Sequence, residues 1–468
     1  MANATNYDVA ILGSGPGGYV AAIRAGQLGL KTLVIEKDPH FGGTCLHVGC
    51  IPSKVFLHTA ELLDQVRQAG VHGVVVEGIR LDWAALLKRK ARIIKKNAGG
   101  VAFLLRKNNV ETLTGFGRIV APGKLEVETA EGAQPVSAKA IIVATGSLPR
   151  SIPGVVIDGK NIVTNTEMLD LPSQPESLGV IGAGAVGVEF ASMFHSFGTK
   201  VTLIEALPRL VPVEDEEVSD VLLQSFQKRG LETMVGTRVE GVSKAEEGVC
   251  VRFTQTDGTT EERTVTKLLV AVGRKSRTDG IGLEQTAVEL DRGNVVVDEY
   301  METAARGIYA IGDVVATQQL AHVASAEAIL AVERIAGHAA ARPLNYTHMP
   351  GATYCRPEIG SVGLTEAAAK AQGYDVKVGR FPFAASAKAT ILGDNDGFVK
   401  VVSDAKYGEL LGVHIIGPHA TDLIAEAVVA LEHEATAESL MRTVHAHPTL
   451  SEAVAEAAHG AVEIPIHV

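Results

Sequence analysis

Residues 8–36 read DVAILGSGPGGYVAAIRAGQLGLKTLVIE and give the strongest indication of the fold. The apolar run at 9–12 predicts a strand, the next residues predict a helix over 19–28, and 33–35 predict a second strand that ends at Glu36. The glycines between the first strand and the helix follow the pattern G-x-G-x-x-G: Gly13, Gly15 and Gly18. This arrangement is typical of a dinucleotide site, where the glycines let the backbone approach a pyrophosphate and the acid binds a ribose.

The same pattern occurs again at residues 180–205, which read VIGAGAVGVEFASMFHSFGTKVTLIE. Each glycine and the acid lie 169 positions after their counterparts: Gly182, Gly184, Gly187 and Glu205. Eight of the 26 aligned residues are identical, and the matched spacing disfavours two unrelated turns. We therefore predict two dinucleotide-binding domains. Because the Glu205 carboxylate can bind the 2′-hydroxyl of NAD but would repel the 2′-phosphate of NADP, the second nucleotide is predicted to be NAD.

Two of the four cysteines, Cys45 and Cys50, share one short loop in the segment GGTCLHVGCIPSK. A zinc site is disfavoured because no second ligand pair accompanies them, and no metal ligands are predicted. A structural disulfide across so small a loop would contribute only about 2 kcal/mol, and a reducing cytosol would break it. The pattern therefore favours a redox-active pair. Pro52 predicts a helix that begins near Cys50, where the helix dipole and Lys54 would favour a thiolate.

The composition narrows the possible partners and compartments. The chain has 468 residues, of which 43 are basic and 54 acidic, so its net charge is −11. This balance argues against nucleic acid or an anionic membrane surface as the main partner, and no apolar run is long enough to predict membrane insertion. The first seven residues show no secretory signal, and four cysteines do not make a disulfide framework. A cytoplasmic protein is predicted.

The remaining patterns predict how the chain is divided. Residues 141–147, 268–274 and 307–314 each predict a buried strand that ends in a turn. The last of these carries Asp313, an acid that could reach a cofactor's sugar or could instead cap a helix or form an Asx turn. Beyond residue 350, alternating strand and helix patterns predict a separate α+β domain. The predicted domains are residues 1–150, 151–275, 276–347 and 348–468.

The segment GGTCLHVGCIPSK, the two glycine fingerprints, AIGD at 310–313 and HAHPTLSE at 445–452 resemble the pyridine nucleotide–disulfide oxidoreductases over essentially the whole chain. The resemblance implies an α/β fold with two Rossmann-like domains, one for FAD and one for NAD, and a C-terminal α+β dimerisation domain. FAD is expected in the first domain and at Asp313. Within the family, the motifs are most similar to the members that oxidise dihydrolipoyl groups with NAD.

The resemblance also assigns roles to single residues. Cys45 would exchange with the substrate and Cys50 would face the flavin. Lys54 would lie near the flavin, paired with Glu189, and His447 would be the base that Glu452 orients. Because Thr449 and Glu452 also fit a capping box before a helix, Glu452 could instead serve as a cap. Further cofactor contacts are implied at these positions: Gly43, Thr44, Lys54, Gly117, Thr145, Gly146, Ala321, Val239 and Gly273.

The implied partners are a second copy of the chain, in a homodimer, and a lipoyl-bearing acyltransferase or lipoyl-carrier protein of a 2-oxo acid dehydrogenase complex or glycine cleavage system. Two alternatives stay open from the sequence. The chain could be another NADH-dependent flavoprotein disulfide reductase, or a non-catalytic flavoprotein that docks onto a complex. The intact Cys45, Cys50 and His447 favour an enzyme.

Overall fold

The computed structural model describes residues 5–339 and 341–467. Residues 1–4, which contribute to the prediction that no signal peptide is present, lie outside the described residues. The chain forms two compact units, each assembled from three segments. Unit 1 contains residues 1–55, 87–150 and 274–346, and unit 2 contains residues 56–86, 151–273 and 347–468. The division into four domains stays a prediction.

Unit 1 is built on a sheet whose core strands are parallel. In spatial order its strands are Glu111–Thr114, Thr32–Glu36, Thr5–Leu12, Gly132–Val143, Lys124–Thr129 and Phe116–Ala121, and Ile308–Ala310 also pairs with Gly132–Val143. The strand Gly132–Val143 pairs in parallel with Thr5–Leu12 and Ile308–Ala310 but antiparallel with Lys124–Thr129. Every residue of Thr32–Glu36 is buried, as expected of a parallel strand covered on both faces.

Helices alternate with the parallel strands of unit 1 along the chain. They are Pro16–Gln27, Gly43–His47, the start of Cys50–Arg67, most of Trp83–Lys107, and Ala321–Ile335. The first helix begins at Pro16, three residues before the predicted start, because Gly15 is its N-cap and Pro16 has a φ angle already suited to a first turn. Ala21, Ala22 and Ala25 of this helix are fully buried, and such small residues allow it to pack closely on its neighbours.

Unit 2 repeats the parallel architecture in its central segment. Its parallel strands, in spatial order, are Glu232–Met234, Lys200–Ile204, Ser177–Ile181, Lys267–Val270 and Ile162–Val163. An antiparallel meander lies beside them in sequence: Arg238–Ala245, Gly248–Thr254 and Thr260–Val265. Helices Asn165–Met168, Ala185–Phe197 and Glu216–Lys228 complete this part.

The C-terminal part of unit 2 is an antiparallel sheet with helices, as the sequence predicts. Its strands, in spatial order, are Gly351–Thr353, Glu358–Gly363, Leu410–Gly417, Phe398–Asp404 and Val376–Pro382. Its helices are Glu366–Ala371, Ala387–Leu392, Ala420–Glu432, Ala437–Arg442 and Glu452–Val462. The predicted α/β fold class with two Rossmann-like domains and a C-terminal α+β domain is confirmed. Within the described ranges, none of the helices has both the length and the apolar character that a membrane crossing requires.

Candidate active site

The first glycine fingerprint forms the turn between strand Thr5–Leu12 and helix Pro16–Gln27. Gly13 has a φ of +99°, and a Cβ there would strike the carbonyl oxygen of Ala144. A Cβ at Gly18 would strike the carbonyl oxygen of Gly13, so both positions are restricted to glycine by the chain itself. A Cβ at Gly15 would meet nothing within 4 Å. The open space at this helix start is what a pyrophosphate needs in order to reach the backbone N–H groups.

Glu36 closes this turn from the end of the second strand. Its Oε2 accepts hydrogen bonds from the Ser14 N–H at 2.9 Å and the Ser14 hydroxyl at 2.6 Å, and its Oε1 accepts one from the Asp38 N–H at 2.9 Å. The side chain is buried but keeps acceptor capacity, because a carboxylate can accept about four hydrogen bonds. Ser14 was missed by the sequence reasoning, although it lies inside the fingerprint.

The second fingerprint reproduces this geometry in unit 2. Gly182 has a φ of +97°, a Cβ at Gly187 would strike the carbonyl oxygen of Gly182, and a Cβ at Gly184 would meet nothing within 4 Å. Glu205 accepts from the Ala183 N–H at 2.6 Å and from the Leu207 N–H at 2.8 Å. Alanine supplies no hydroxyl at the position that Ser14 has in the first fingerprint, so the Glu205 carboxylate receives one hydrogen bond fewer. Both fingerprints fit a dinucleotide.

The cysteine loop packs directly on the first fingerprint. The Gly42 N–H donates to the Ser14 carbonyl oxygen at 3.0 Å, and a Cβ at Gly43 would lie 2.7 Å from the Cα of Gly15. The short helix Gly43–His47 then carries Thr44 and Cys45. The backbone of this loop therefore brings Cys45 to the place where the dinucleotide is expected.

Cys50 is the first residue of helix Cys50–Arg67, which confirms the predicted helix start. Cys45 and Cys50 are free thiols joined by a side-chain hydrogen bond. This bond, together with burial, raises the pKa of Cys45, while the nearby Lys54 ammonium acts in the opposite direction. The pair is thus close enough to react with each other, and a positive charge is available to a developing thiolate.

Asp313 lies at the end of strand Ile308–Ala310, on the turn Gly312–Val314. Its carboxylate accepts a hydrogen bond from the Ser147 hydroxyl and lies 3.5 Å from the Arg274 guanidinium. These contacts are not those of a helix cap, since Ile311 occupies the N-cap position of this turn. They hold Asp313 at the carboxyl end of the parallel strands, where ligands of open α/β sheets bind.

Glu327 supports the Asp313 turn and was missed by the sequence reasoning. This fully buried carboxylate accepts from the Gly312 N–H at 2.6 Å, the Thr317 hydroxyl at 2.7 Å and the Tyr346 hydroxyl at 2.9 Å. Burial raises the pKa of Glu327, and the three hydrogen bonds partly offset this rise. An acid within an alanine-rich helix was the available signal, but its partners are too distant in sequence to be identified from spacing.

His447 and Glu452 meet as predicted. The His447 Nδ1 lies 2.8 Å from Oε1 of Glu452, and Oε2 of the same carboxylate accepts from the Thr449 N–H at 2.8 Å. Although burial opposes it, these contacts with Thr449 and His447 hold the pKa of Glu452 below its ordinary value. The capping box is only half formed, because the Thr449 hydroxyl donates to the Ala446 carbonyl oxygen. One carboxylate therefore orients the histidine and also anchors the backbone before helix Glu452–Val462.

His445 and Glu189 form contacts outside the pair of His447 and Glu452. His445 pairs with Glu426 rather than with Glu452, and its Nε2 lies 2.6 Å from Oε1 of Glu426. Glu189 is buried on helix Ala185–Phe197 and accepts from the Tyr354 N–H at 3.0 Å. Lys54 belongs to unit 1 and Glu189 to unit 2, so their predicted pairing stays a prediction.

The other predicted cofactor contacts are distributed over both units. In unit 1, Gly117 is buried in strand Phe116–Ala121, and the Thr145 hydroxyl donates to the Arg277 carbonyl oxygen at 2.7 Å. Gly146 follows in the same loop, and Ala321 is the first residue of helix Ala321–Ile335. In unit 2, Val239 lies in strand Arg238–Ala245 and Gly273 follows strand Lys267–Val270. Their contacts with a cofactor remain predictions.

The two remaining cysteines differ in how deeply they are buried. Cys355 is buried, as the sequence predicts for a small core residue, and its thiol donates to the Pro357 carbonyl oxygen at 3.2 Å. The strand-like sequence around Cys250 also predicts a small buried residue, and this prediction is wrong, because Cys250 is only half-buried and its thiol lies 3.5 Å from a carboxylate oxygen of Glu262. Neither lies in the redox loop.

Comparisons with known proteins match one family over nearly the whole chain. A family model described as "Pyridine nucleotide-disulphide oxidoreductase" matches residues 7–328, and one described as its "dimerisation domain" matches residues 349–458. The chain is 45% identical to the dihydrolipoyl dehydrogenase of Bacillus subtilis, with 99% of this chain and 100% of the relative covered. It is 44% identical to that of Mycobacterium leprae, with 98% of each covered. The crystal structure of LpdA from Mycobacterium tuberculosis matches with a TM-score of 0.89 at 30% identity, covering 97% of this chain and 99% of that one.

Proposed function

Since this chain belongs to the pyridine nucleotide–disulfide oxidoreductase family, we propose that it acts as a dihydrolipoyl dehydrogenase. It oxidises protein-bound dihydrolipoyl groups to lipoyl groups and reduces NAD+ to NADH. The single observation that carries this proposal is the Cys45–Cys50 pair, packed on the first of two dinucleotide fingerprints. The relatives at 44–45% identity that are named for this activity support it.

The residues of both fingerprints fit the two cofactors. FAD would be held by the Gly15 opening, by Glu36 through its ribose and by Asp313, while NAD would be held by the Gly184 opening and Glu205. When bound, FAD would supply the two-electron chemistry that links oxidation of the reduced cysteines to reduction of NAD+. The chain itself supplies the thiol chemistry and the proton transfer.

The catalytic cycle starts from the Cys45–Cys50 disulfide. A dihydrolipoyl thiol gives its proton to His447 of the neighbouring subunit, and the resulting thiolate attacks the Cys45 sulfur, so that Cys50 leaves as a thiolate. The second sulfur of the substrate then attacks the first substrate sulfur in the mixed disulfide and breaks its bond to Cys45. Its proton passes to the leaving Cys45 sulfur, so that the lipoyl group is released and both cysteines are reduced. Glu452 fixes the His447 tautomer through Nδ1, so that Nε2 can take the proton.

The match to a dimerisation domain supports a homodimer. The lipoyl groups would arrive on an acyltransferase or a lipoyl-carrier protein, and the reaction would take place in the cytoplasm, where a redox-active pair can cycle. This chemistry requires no metal ion in addition to FAD and NAD.

An anaerobic titration of the purified holoenzyme with dihydrolipoamide, followed by NAD+, tests the proposal. We expect a long-wavelength thiolate–flavin band and then the absorbance of NADH. If NADH generates the thiolate–flavin band while dihydrolipoamide does not, the substrate is another disulfide and the proposed substrate is wrong. If the purified protein binds no flavin, the proposed activity is excluded altogether.

A further inference from the structure

Helix Trp83–Lys107 has a charge opposite to that of the protein. It contains eight lysines and arginines and no acidic residue, in a chain whose net charge is −11. Six of the eight lie in one run of nine residues, KRKARIIKK at 88–96. The rest of the chain is therefore more acidic than its total indicates, and the positive charge is concentrated on one element.

Five exposed cations of this helix share one face: Lys88, Arg89, Arg92, Lys95 and Lys96. At about 100° of rotation per residue they span an arc of about 120°, over a rise of about 12 Å along the helix. Leu86, Val101 and Leu105, on the opposite side of the helix, are buried. We call these five residues the cationic face.

The cationic face is unfavourable for the isolated chain. Lys88, Lys95 and Lys96 each lie three or four residues from Arg92, so like charges are neighbours on the helix surface. None of the five cations forms an ion pair within residues 5–339 and 341–467. An anionic surface from another molecule would remove this repulsion.

The same side of the helix also offers an apolar contact point. Phe103 is 56% exposed and follows the cationic face by two turns. Between them lie Gly99 and Gly100, where a Cβ would meet nothing within 4 Å, so the packing of this chain does not require glycine there. Glycine within a helix is destabilising. Exposed aromatic residues are enriched at protein interfaces, in which aromatic and arginine residues carry much of the binding energy.

The helix is linked to the redox loop through the core of unit 1. Val101 and Leu105 belong to the same hydrophobic cluster as Leu46, and Ile51 packs against that cluster. Leu46 lies next to Cys45, so the helix and the cysteine loop rest on one continuous core. A partner bound to the exposed side of the helix would therefore be held by the same unit that carries the reactive thiols.

We propose that the cationic face and Phe103 form the docking surface for an acidic face of the lipoyl-bearing partner protein. This inference rests on the proposed function, which requires the dihydrolipoyl group to arrive on another protein. The positive charges steer the acidic carrier towards unit 1, and Phe103 adds a short-range contact. Free dihydrolipoamide, which has no protein attached, gains nothing from this surface.

The test compares two substrates on one charge-reversed holoenzyme. The variant Lys88→Glu/Arg92→Glu/Lys95→Glu keeps helix propensity, since glutamate is a good helix former. The probes are free dihydrolipoamide and an acidic dihydrolipoylated domain of a 2-oxo acid dehydrogenase acyltransferase, each assayed by NADH formation. At low salt we expect the KM for the domain to rise about tenfold or more, and at high salt this difference should vanish. The KM and kcat for free dihydrolipoamide should not change.

A matched control separates the local effect from net charge. The variant Lys124→Glu/Arg292→Glu/Lys377→Glu makes the same charge change at exposed positions elsewhere and should leave the KM for the domain within about twofold of the wild type. Phe103→Ala should raise the KM for the domain about fivefold with little dependence on salt, since its contact is apolar.

Three results would overturn the docking surface while leaving the proposed function intact. They are an unchanged KM for the domain in the charge-reversed variant, an equal rise in the control variant, or a change in oligomeric state that identifies the face as a contact between subunits. If the wild type oxidises neither substrate, the proposed function fails, and this inference fails with it.

Discussion

The two fingerprint turns can be compared residue by residue, because they share one hydrogen-bond scheme displaced by 169 positions. In each half, the N–H of the first fingerprint glycine donates to a carbonyl oxygen of the second strand. A backbone N–H two residues after the terminal acid donates to its carboxylate, and a later loop residue donates its N–H to the carbonyl oxygen of the second fingerprint residue. In unit 1 these bonds run from Gly13 N–H to Ile35 O, from Asp38 N–H to the Glu36 carboxylate and from Gly42 N–H to Ser14 O. In unit 2 the corresponding bonds run from Gly182 N–H to Ile204 O, from Leu207 N–H to the Glu205 carboxylate and from Val211 N–H to Ala183 O.

The two halves diverge immediately after this last hydrogen bond. In unit 1 the chain continues from Gly42 into the helix that carries Cys45. In unit 2 it continues from Val211 to Asp215, which caps helix Glu216–Lys228 and binds the buried Lys400 at 2.9 Å. The same nucleotide scaffold thus leads to a redox loop in one half and to a structural ion cluster in the other. The segment that follows the fingerprint, and not the fingerprint itself, therefore determines what each half contributes.

The largest expected effect comes from removing the chemistry of the first exit segment. Cys50→Ser should reduce NAD-linked dihydrolipoamide oxidation by about a thousandfold or more, because the Cys45 thiol loses its disulfide partner. Both nucleotides should still bind, since neither fingerprint changes. Steady-state rates, FAD content and NADH binding measure this. Cys250→Ser is the control and should retain full activity, and substantial activity in Cys50→Ser would contradict the redox loop.

Each fingerprint turn can be disrupted separately by one substitution. Gly187→Ala should weaken NAD binding by about a hundredfold or more, because its Cβ would displace the Gly182 carbonyl and distort the turn. Dihydrolipoamide should still reduce the flavin in single-turnover experiments, since unit 1 is untouched. Gly18→Ala, the equivalent change in unit 1, should instead yield protein without FAD. Equal losses of both nucleotides in both variants would show that the two turns are not independent.

The second exit segment is tested through its buried lysine. Lys400 is 2% exposed and lies within 3.1 Å of carboxylate oxygens of Asp215, Glu217 and Glu366. Lys400→Met should lower the free energy of unfolding by about 3 kcal/mol, because it leaves the buried carboxylate of Asp215 without its counter-ion. Chemical denaturation measures the loss. The exposed Lys377→Met serves as control and should change stability little, while the redox spectrum should stay normal in both.

The same cluster predicts how stability depends on pH. The Arg380 guanidinium and Lys400 lower the pKa of Glu217 from 4.5 to about 2, although burial opposes the shift. A depressed folded-state pKa contributes stability that is present above pH 4.5 and is lost as the pH falls towards 2. The wild type should therefore lose stability through this window more steeply than Lys400→Met. Parallel acid-denaturation curves for the two proteins would refute this account.

The smallest expected effect concerns the one polar difference between the turns. Ala183→Ser should give Glu205 the extra donor that Ser14 supplies to Glu36, so that the ribose of NAD meets a carboxylate with less acceptor capacity. We expect the KM for NAD+ to rise about fivefold with kcat nearly unchanged, a loss comparable to one hydrogen bond. Ala183→Gly adds no hydroxyl and is the control. A lower KM in Ala183→Ser would reverse the proposed role of the hydroxyl.

Local pattern was sufficient to predict the features that depend on neighbouring residues. The spacing of Gly13, Gly15 and Gly18, the acid at Glu36 and the helix start at Cys50 follow from short-range geometry, and the structure has them where the sequence predicts. The first helix starts earlier than predicted because apolar periodicity does not register the N-cap at Gly15.

Features that join distant parts of the chain left no local signal. Lys400 binds an acid 185 positions away, and Ser147 binds Asp313 across 166 positions. An exposed lysine and a buried one look alike in a strand pattern, and only the folded sheet distinguishes them. For His447 and Glu452 the resemblance supplied the assignment, since spacing alone could not separate orientation from capping.

The strand Ile308–Ala310 has a consequence for how the protein is made. This strand pairs with Gly132–Val143, and Asp313 follows it after two residues, so unit 1 lacks one strand of its parallel sheet and a predicted flavin contact until residue 313 has left the ribosome. The nascent chain therefore carries both reactive cysteines for most of its synthesis without a complete flavin site. We expect cofactor loading to follow translation of this strand, and truncated chains that end before it to be poor flavin binders.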